Sequence, residues 1–580
     1  MKVRLARHAG FCMGVRRAME LALEQAHHAE GPVYTYGPLI HNPQVLELLK
    51  SKGIRALKEI PPAGSVQGGT VIIRAHGVPP QDKARLKQAG FSQIVEGTCP
   101  RVIRVQAIIA RAAKRGADVV IVGDASHPEV VGLLGHARGR GRVVSRPSEV
   151  AELPELADVV VVAQTTQTGE NFAAIVQELT HRFGPVEVHE TICEATHRRQ
   201  DEVKSLAREV DGVVVVGGRN SGNTQRLAQV AAESGKPVFA VETEEELPRA
   251  ELAHLDTVGV TAGASAPNWL IKRVLRELGS IRSEREGDGS YLLRRVFRFF
   301  VRSQLLVALG AAGMTCAASI LQGLVPHPAL VATAFFYIYA MHILNHFLDK
   351  EAGQYNDPDR AQFLTKHRRF LIGSGIFSAA ASLFLCMLIG PWPLAIVSFI
   401  SLLGILYSVP VVPLSMRGRL KLASLKDIPG SKTVSAAGAW AVVVAVLPAV
   451  GFGIWNFPAL ILAFVYTAVL VFCRCAVFDV LDVQGDLVVG KETIPIMLGE
   501  AVTLRLVYWL LAALALLMIL APLAGPPVLL CLLLLLPIAG LAFMQRVLSR
   551  GDMLPGATSE ALVDFIFWLA GALALAWWIL

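Results

Sequence analysis

Three stretches decide how the first half of this chain folds. VRLARHAGFC (3–12) runs into MGVRRAMELALEQA (13–26), FSQIVEGTC (91–99) into PRVIRVQAIIARAAKRG (100–116), and VEVHETIC (186–193) into EATHRRQDEVKSLAREV (194–210). Each reads as a short strand, a loop ending in cysteine, and an amphipathic helix with apolar residues every three or four positions. Cys12, Cys99 and Cys193 are nearly evenly spaced, and no other cysteine precedes residue 300. The pattern predicts a threefold pseudo-repeat of α/β units, each placing one cysteine at a helix N-terminus.

That placement has a chemical consequence. A helix N-terminus carries partial positive charge and unpaired N–H groups, which favour a thiolate. Three thiolates converging from three units suit a cuboidal 4Fe-4S cluster and leave one iron open to substrate, whereas four-cysteine clusters usually serve electron transfer. Three unrelated buried cysteines remain an alternative on spacing alone. A zinc site is a weaker one, because the half has no Cys-x-x-Cys pair.

The remaining strand ends narrow the choice. TVIIR (70–74) is followed by AHGV, DVVIVGDAS (118–126) by HPEV, DVVVVA (158–163) by QTTQTGE, GVVVVGG (212–218) by RNSGNT, and TVGVT (257–261) by AGASAP. In open parallel sheets, ligands bind beyond the carboxyl ends of the strands. Those ends carry His76, His127, Thr165, Thr166, Ser221, Asn223, Ser265 and one carboxylate, Glu129; His41 in HNPQV (41–45) joins them. Histidines, hydroxyls, an amide and glycine-rich turns suit a diphosphate.

With GFCMGV, HNPQV, AHGV, TCP, HPEV, QTT, NSGN and TAGASAP in hand, the first 280 residues resemble the LytB family, the 4-hydroxy-3-methylbut-2-enyl diphosphate reductases. The resemblance implies three α/β units around a central 4Fe-4S cluster held by Cys12, Cys99 and Cys193. It implies that His41, His76 and His127 contact the diphosphate or hydroxyl, that Glu129 relays protons, that Thr165 or Thr166 holds the substrate hydroxyl, and that Ser221, Asn223 and Ser265 grip the diphosphate. The family usually has serine at Gly222, so that position offers only its backbone N–H, and more often has asparagine at Arg198. No flavin or nicotinamide fingerprint is present, which points to an external electron donor such as ferredoxin or flavodoxin.

The chain as a whole is 580 residues long, 53% hydrophobic, with a formal charge of +8 and a mean hydropathy of +0.48. That length calls for several domains. Without an apolar h-region near its start, the first half is expected in the reducing cytoplasm, where disulfides are rare. The positive charge does not argue for nucleic acid, because no long basic run or nucleic-acid motif accompanies it.

From about residue 303 the pattern changes. Nine apolar segments of the length needed to cross about 30 Å of hydrocarbon are expected near 303–325, 328–348, 369–390, 392–412, 433–453, 457–480, 503–524, 526–544 and 560–580. The even-numbered loops carry Lys350, Arg360, Lys366, Arg417, Arg419, Lys421, Lys491, Arg546 and Arg550, which the positive-inside rule assigns to the cytoplasm. Between the halves, 281–294 reads as a charged, irregular linker. The domains are thus expected at 1–280 and 295–580, the second an all-α membrane unit.

Two carboxylate clusters sit at expected cytoplasmic ends of that unit. NHFLDKEAGQYNDPDR (345–360) places Asn345 and Asp349 four apart, and RCAVFDVLDVQGD (474–486) places Asp479, Asp482 and Asp486 on one helix face. Acidic pairs at a membrane surface suit Mg²⁺, which in turn binds a diphosphate. Together with GKETIPIMLG (490–499) and Tyr407–Ser408, these motifs resemble the UbiA superfamily of intramembrane prenyltransferases. The resemblance implies Mg²⁺, a polyprenyl diphosphate donor and a lipophilic acceptor that the sequence does not identify. His346 stands where many members have aspartate, with Asp357 or Asp359 as substitutes. A membrane anchor or lipid-binding module without transferase activity is the alternative for this half. For the chain, the alternatives are an anchored electron-transfer protein, which the three-ligand count disfavours, or a transporter, which would show broken helices at mid-membrane.

Overall fold

The chain divides into two compact units, Met1–Arg285 and Glu286–Leu580. The structure, a computed structural model, describes residues 1–580 apart from 30, 285, 349, 409–427, 429 and 550–556. Asp349 and the loop residues Arg417, Arg419, Lys421 and Arg550 lie outside the described residues.

Valine-rich runs build the first unit. Val159–Ala163 and Gly212–Val216 are buried throughout and Asp118–Val122 at four of five positions, as expected of parallel strands covered by helices on both faces. In chain order the strands are β1 (Lys2–Leu5), β2 (Val33–Tyr36), β3 (Arg55–Leu57), β4 (Thr70–Ile73), β5 (Gln93–Glu96), β6 (Asp118–Val122), β7 (Gly141–Val144), β8 (Val159–Ala163), β9 (Glu187–His189), β10 (Gly212–Val216), β11 (Val238–Val241) and β12 (Thr257–Ala262). They form three four-stranded sheets, ordered β1-β12-β10-β11, β3-β2-β4-β5 and β7-β6-β8-β9, with every pairing parallel.

Read from β1, β5 and β9, the three orders are identical once β1 is counted as the strand after β12. The N-terminal strand therefore completes the last sheet, pairing Leu5 with Val260. The three strands that lead into the cysteines occupy the same edge position in the three sheets.

The second unit is helical. Among the described residues, seven helices are long and apolar enough to cross a bilayer: 328–347, 368–389, 431–452, 457–489, 500–524, 528–549 and 558–579. The sequence reading expected nine. The first expected segment is the short helix Leu305–Leu321, bent by 68° from the Asp288–Arg302 helix before it, and the fourth is the short apolar helix Pro391–Tyr407. Residues 288–294 of the stretch read as an irregular linker form the first half of the Asp288–Arg302 helix. Asp288, Gly289 and Ser290 give its start a loop-like composition, but Leu292, Val296, Phe299 and Phe300 recur at helical spacing.

Small residues bring two of the helices together. A Cβ built on Gly571 would collide with the backbone of Gly313, so Leu305–Leu321 and Ala557–Ile579 cross in near-backbone contact. The same C-terminal helix carries two ion-paired carboxylates, one buried and one half-buried. Asp564 pairs with Arg474 at 2.8 Å, with side chains only 4% and 12% exposed, and Glu560 pairs with Arg360. Removing one partner of a buried pair leaves the other charge uncompensated, at a cost of about 3–5 kcal/mol. Arg474→Met should therefore lower the thermal midpoint of the detergent-solubilised chain markedly, and Arg474→Met with Asp564→Leu should recover most of the loss. A single variant that melts like the parent would refute this.

Candidate functional site

The three cysteines are set by one repeated backbone bond. Each is the residue just before a helix: Cys12 before Met13–His28, Cys99 before Pro100–Lys114 and Cys193 before Glu194–Glu209. The Cys12 N–H donates to Ala264 O at 3.2 Å, Cys99 N–H to Ala75 O at 2.9 Å, and Cys193 N–H to Thr165 O at 2.9 Å. Each acceptor lies just past the carboxyl end of the neighbouring strand, beside or at an expected substrate residue: Ser265, His76 and Thr165 itself. The cysteine loops and the polar strand ends are thereby drawn into one place.

One cavity collects every residue expected at this site. Cys12, Cys99, Cys193, His41, His76, His127, Glu129, Thr165, Thr166, Ser221, Gly222, Asn223 and Ser265 all line it. All three cysteines are free thiols. Burial pushes the Cys99 thiol up; the Arg101 and Val102 N–H groups oppose this, and Cys12 and Cys193 add to it by repulsion.

In the same cavity the histidines form a cluster. The ring centroids of His41 and His76 are 4.6 Å apart, those of His41 and His127 5.6 Å, and those of His76 and His127 5.4 Å. His127 Nδ1 accepts the Glu129 N–H at 3.1 Å, so in the neutral ring the proton sits on Nε2. His41 Nε2, His76 Nδ1 and Asn223 Nδ2 are buried with no hydrogen-bond partner. Buried polar atoms left unpaired are costly, and these three belong to residues that line the cavity. Ser265 Oγ donates to His41 O at 3.1 Å and lies 3.3 Å from Ser221 Oγ.

Glu129 is hydrogen-bonded to His127 and to Thr165, whose carbonyl accepts the Cys193 N–H. It is 2% exposed, and its carboxylate accepts the Thr165 N–H at 2.8 Å and the Thr165 hydroxyl at 2.9 Å. Burial raises its pKa, and the two Thr165 bonds oppose the rise. Thr166 Oγ1 accepts from Gln164 Nε2 at 3.0 Å. A Cβ on Gly222 would stand 3.9 Å from His127 Nε2 and from Thr166 Oγ1, an ordinary contact, so the position has room for a side chain it does not carry.

Three residues of this site escaped the sequence reading. A Cβ on Gly14 would come 2.5 Å from Cys99 Sγ, so the helix that follows one cysteine has no side chain where another cysteine packs. Arg199, 5% exposed, lines the cavity and donates to Gly10 O at 2.7 Å and Ala195 O at 2.9 Å, tying the Cys12 loop to the Cys193 helix. Arg74 donates to Gly77 O at 3.3 Å and places its charge near all three histidines. The two arginines follow no recognisable motif. Gly14 lay inside GFCMGV, where a glycine in the first turn of a helix was the available signal.

The LytB protein family matches residues 3–279. Over 289 residues the chain is 44% identical to the 4-hydroxy-3-methylbut-2-enyl diphosphate reductase of Geobacter sulfurreducens, covering 50% of this chain and 100% of that protein. The chain belongs to the LytB family. A solved structure of (E)-4-hydroxy-3-methyl-but-2-enyl diphosphate reductase is 40% identical and covers 48% of this chain and 100% of its own, with a TM-score of 0.39. Beyond the LytB half, the UbiA prenyltransferase family matches residues 305–569, and these residues form a domain of that family. A UbiA homologue from Aeropyrum pernix K1 is similar at 16% identity, covering 47% of this chain and 98% of its own, with a TM-score of 0.37.

In the UbiA half the carboxylates are engaged by neighbours. Asp479, 4% exposed, accepts the Thr433 hydroxyl at 2.6 Å and pairs with Lys432 at 3.4 Å. Asp486, 1% exposed, accepts from Asn356 Nδ2 at 2.8 Å. Asp482 is half-buried on the same helix, and Asn345 is exposed near the end of the 328–347 span. The substitutes considered for an aspartate at His346 are committed elsewhere. Asp357 caps the Pro358–Lys366 helix and pairs with Arg360 at 3.5 Å, while Asp359 pairs with Arg302 at 2.6 Å. Asn356, not singled out in the sequence, is the residue that reaches the acidic face.

The LytB histidines make the site sensitive to pH. Burial lowers the pKa of His41, His76 and His127, that of His127 to about 4 from an ordinary 6.5. A depressed folded pKa means stability that is present above the unfolded value and lost as pH falls through the folded one. The isolated first unit, the length of its curated relatives, should therefore lose stability between pH 6.5 and pH 4. His127→Asn should flatten that slope in pH-dependent chemical denaturation; an unchanged slope would count against the assignment.

Proposed function

We propose that the LytB half reductively removes the hydroxyl of 4-hydroxy-3-methylbut-2-enyl diphosphate, giving isopentenyl and dimethylallyl diphosphate. The observation that carries this reading is that one cavity is lined both by three free cysteines and by imidazole and amide groups with unpartnered nitrogens. The donor set fits a 4Fe-4S cluster. Three like-charged thiolates repel one another when close, and the charge of Arg199 faces Cys12 and Cys193. Cys12, Cys99 and Cys193 would hold the cluster, which supplies electrons and an open Lewis-acidic iron when bound.

The protein's own groups do the rest. His41, His76, Ser221, Asn223, Ser265 and the Gly222 N–H bind the diphosphate, with Arg74 adding positive charge behind the histidines. Thr165 and Thr166 orient the hydroxyl, and His127 points Nε2 toward it. Glu129, kept protonatable by burial, delivers the proton with which the hydroxyl leaves as water. The overall change breaks one C–O bond and consumes two electrons and two protons, the electrons coming from a carrier such as ferredoxin or flavodoxin.

The test separates cluster from proton transfer. Serine in place of any one of the three cysteines should abolish the visible absorption of anaerobically purified protein. Glu129→Gln should keep that absorption and substrate binding but lose about 10²–10⁴-fold in turnover. Stoichiometric zinc in the parent, or near-normal turnover in Glu129→Gln, would overturn the respective assignment.

For the UbiA half we infer Mg²⁺-dependent transfer of a polyprenyl group from its diphosphate to a lipophilic acceptor. In this reading Leu305–Leu321 and Pro391–Tyr407 complete nine spans, and the first unit lies in the cytoplasm. Asn345 and Asp349 from one helix end and Asp479, Asp482 and Asp486 from another hold the metal and diphosphate. The support is the buried acidic face of the 457–489 helix, including the Asp486 Oδ2 oxygen that has no partner. Asp482→Asn and Asp486→Asn should abolish prenylation of a quinone-precursor, haem-precursor or lipid-alcohol panel while leaving reductase turnover intact. If the parent protein prenylates none of these acceptors, the half is an anchor.

A further inference from the structure

The Asp288–Arg302 helix has an open apolar face that neither half's chemistry uses. At 100° per residue, Leu292, Leu293, Val296, Phe297, Phe299 and Phe300 fall within one arc of about 160°. Their exposures run from 40% for Phe300 to 71% for Leu293. Arg294, Arg295, Arg298 and Arg302 fall on the opposite side, with Val301, 3% exposed, among them. On that side Arg302 pairs with Asp359 at 2.6 Å and Arg294 with Glu286 at 2.7 Å. The polar side is thus turned to carboxylates of its own unit, and the apolar side is turned away.

The corner after the helix is built. Gln304 adopts φ +63° and is 2% exposed, a backbone conformation that costs a non-glycine residue energy. With its amide oriented to satisfy both ends, its oxygen accepts from Arg360 Nη1 at 2.9 Å and Nε at 3.0 Å, and Arg360 is itself paired with Glu560. The helix therefore leaves the Leu305–Leu321 helix at a fixed 68°.

We propose that this helix lies in the boundary between headgroups and acyl chains, with its apolar arc in lipid. Chain length argues for lipid over any other occupant. Only Ser303 and Gln304 separate it from the first apolar helix, so its C-terminal end is held at the membrane surface. Its 15 residues span about 22 Å, and at this bend from an upright span the far end rises only about 8 Å. The whole helix then stays within the roughly 5–10 Å depth at which amphipathic helices bury their apolar faces. Phe299 at the edge of the arc also meets Phe363 of the Pro358–Lys366 helix, with ring centroids 5.8 Å apart.

The experiment uses the full-length protein in nanodiscs of phosphatidylethanolamine and phosphatidylglycerol. A photoreactive p-benzoylphenylalanine replaces Leu293, Phe297 or, on the polar side, Arg295, and adducts are read by mass spectrometry. Lipid adducts several-fold more abundant at 293 and 297 than at 295 are expected. Cross-links from 293 or 297 to residues 1–285, to a second copy or to another protein, or equal lipid labelling at all three positions, would overturn the proposal. As a second measurement, Leu293→Ser with Phe297→Ser should speed tryptic cleavage at Arg294, Arg295 and Arg298 several-fold in the same nanodiscs. Cleavage at the parent rate would overturn it equally.

Discussion

The LytB unit depends on three hydrogen bonds that join cysteine amides to carbonyls at strand ends: Cys12 to Ala264, Cys99 to Ala75 and Cys193 to Thr165. Each bond does two things at once. It fixes where a helix starts, and so the direction of the amides around the thiol. It also ties that thiol to the loop that carries a cavity-lining residue from the adjacent strand. A shift in any one of the three sheets would move a cysteine and its partner side chain together. The geometry of the cavity is thus inherited from the backbone, and the side chains lining it need little further support.

Much of this was legible because the chemistry sits at element boundaries. Strand, cysteine and helix follow one another directly in three places, and the polar residues at the strand ends are punctuated by glycine and by abrupt loss of β-branched residues. Closure of the third sheet was not legible: β1 pairs with β12 across more than 250 residues, and nothing local in VRLARHAGFC marks it as the final strand of the last unit. Arg199 and Arg74 escaped for a related reason. Each looks like an ordinary charged residue beside a motif, and only the fold shows that one is buried between two cysteine loops and the other stands behind three histidines.

The membrane half was read well in composition and less well in shape. Runs of apolar residues announce helices, but they do not reveal where a helix breaks. Among the described residues seven of the nine expected segments form helices long and apolar enough to span; the first is the Leu305–Leu321 helix, bent sharply from its predecessor, and the fourth, Pro391–Tyr407, runs up to residues outside the described set. The stretch before the Leu305–Leu321 helix looked irregular because Asp288, Gly289 and Ser290 open it. At helical spacing Arg294, Arg295, Arg298 and Arg302 share one side, and the same letters describe a strongly two-faced helix. The aspartates of the 457–489 helix were legible from their i, i+3, i+7 spacing, whereas the contribution of Asn356 required the chain to turn back after the second span.

The two halves solve the problem of buried charge in different ways. In the LytB cavity burial disfavours the charged form of the three histidines, and His41 Nε2 and His76 Nδ1 stay without a hydrogen-bond partner, at a cost in stability as pH falls. In the helical unit two interior arginines are already matched: Arg474 with Asp564, and Arg360 with Glu560 and Asp357. These pairs join the C-terminal helix to the middle of the unit, and through Arg360 they also hold Gln304 at the corner before the first apolar helix. A bilayer offers no water to compensate an unpaired charge, and the pairing that secures the last helix also holds the corner between the Asp288–Arg302 and Leu305–Leu321 helices.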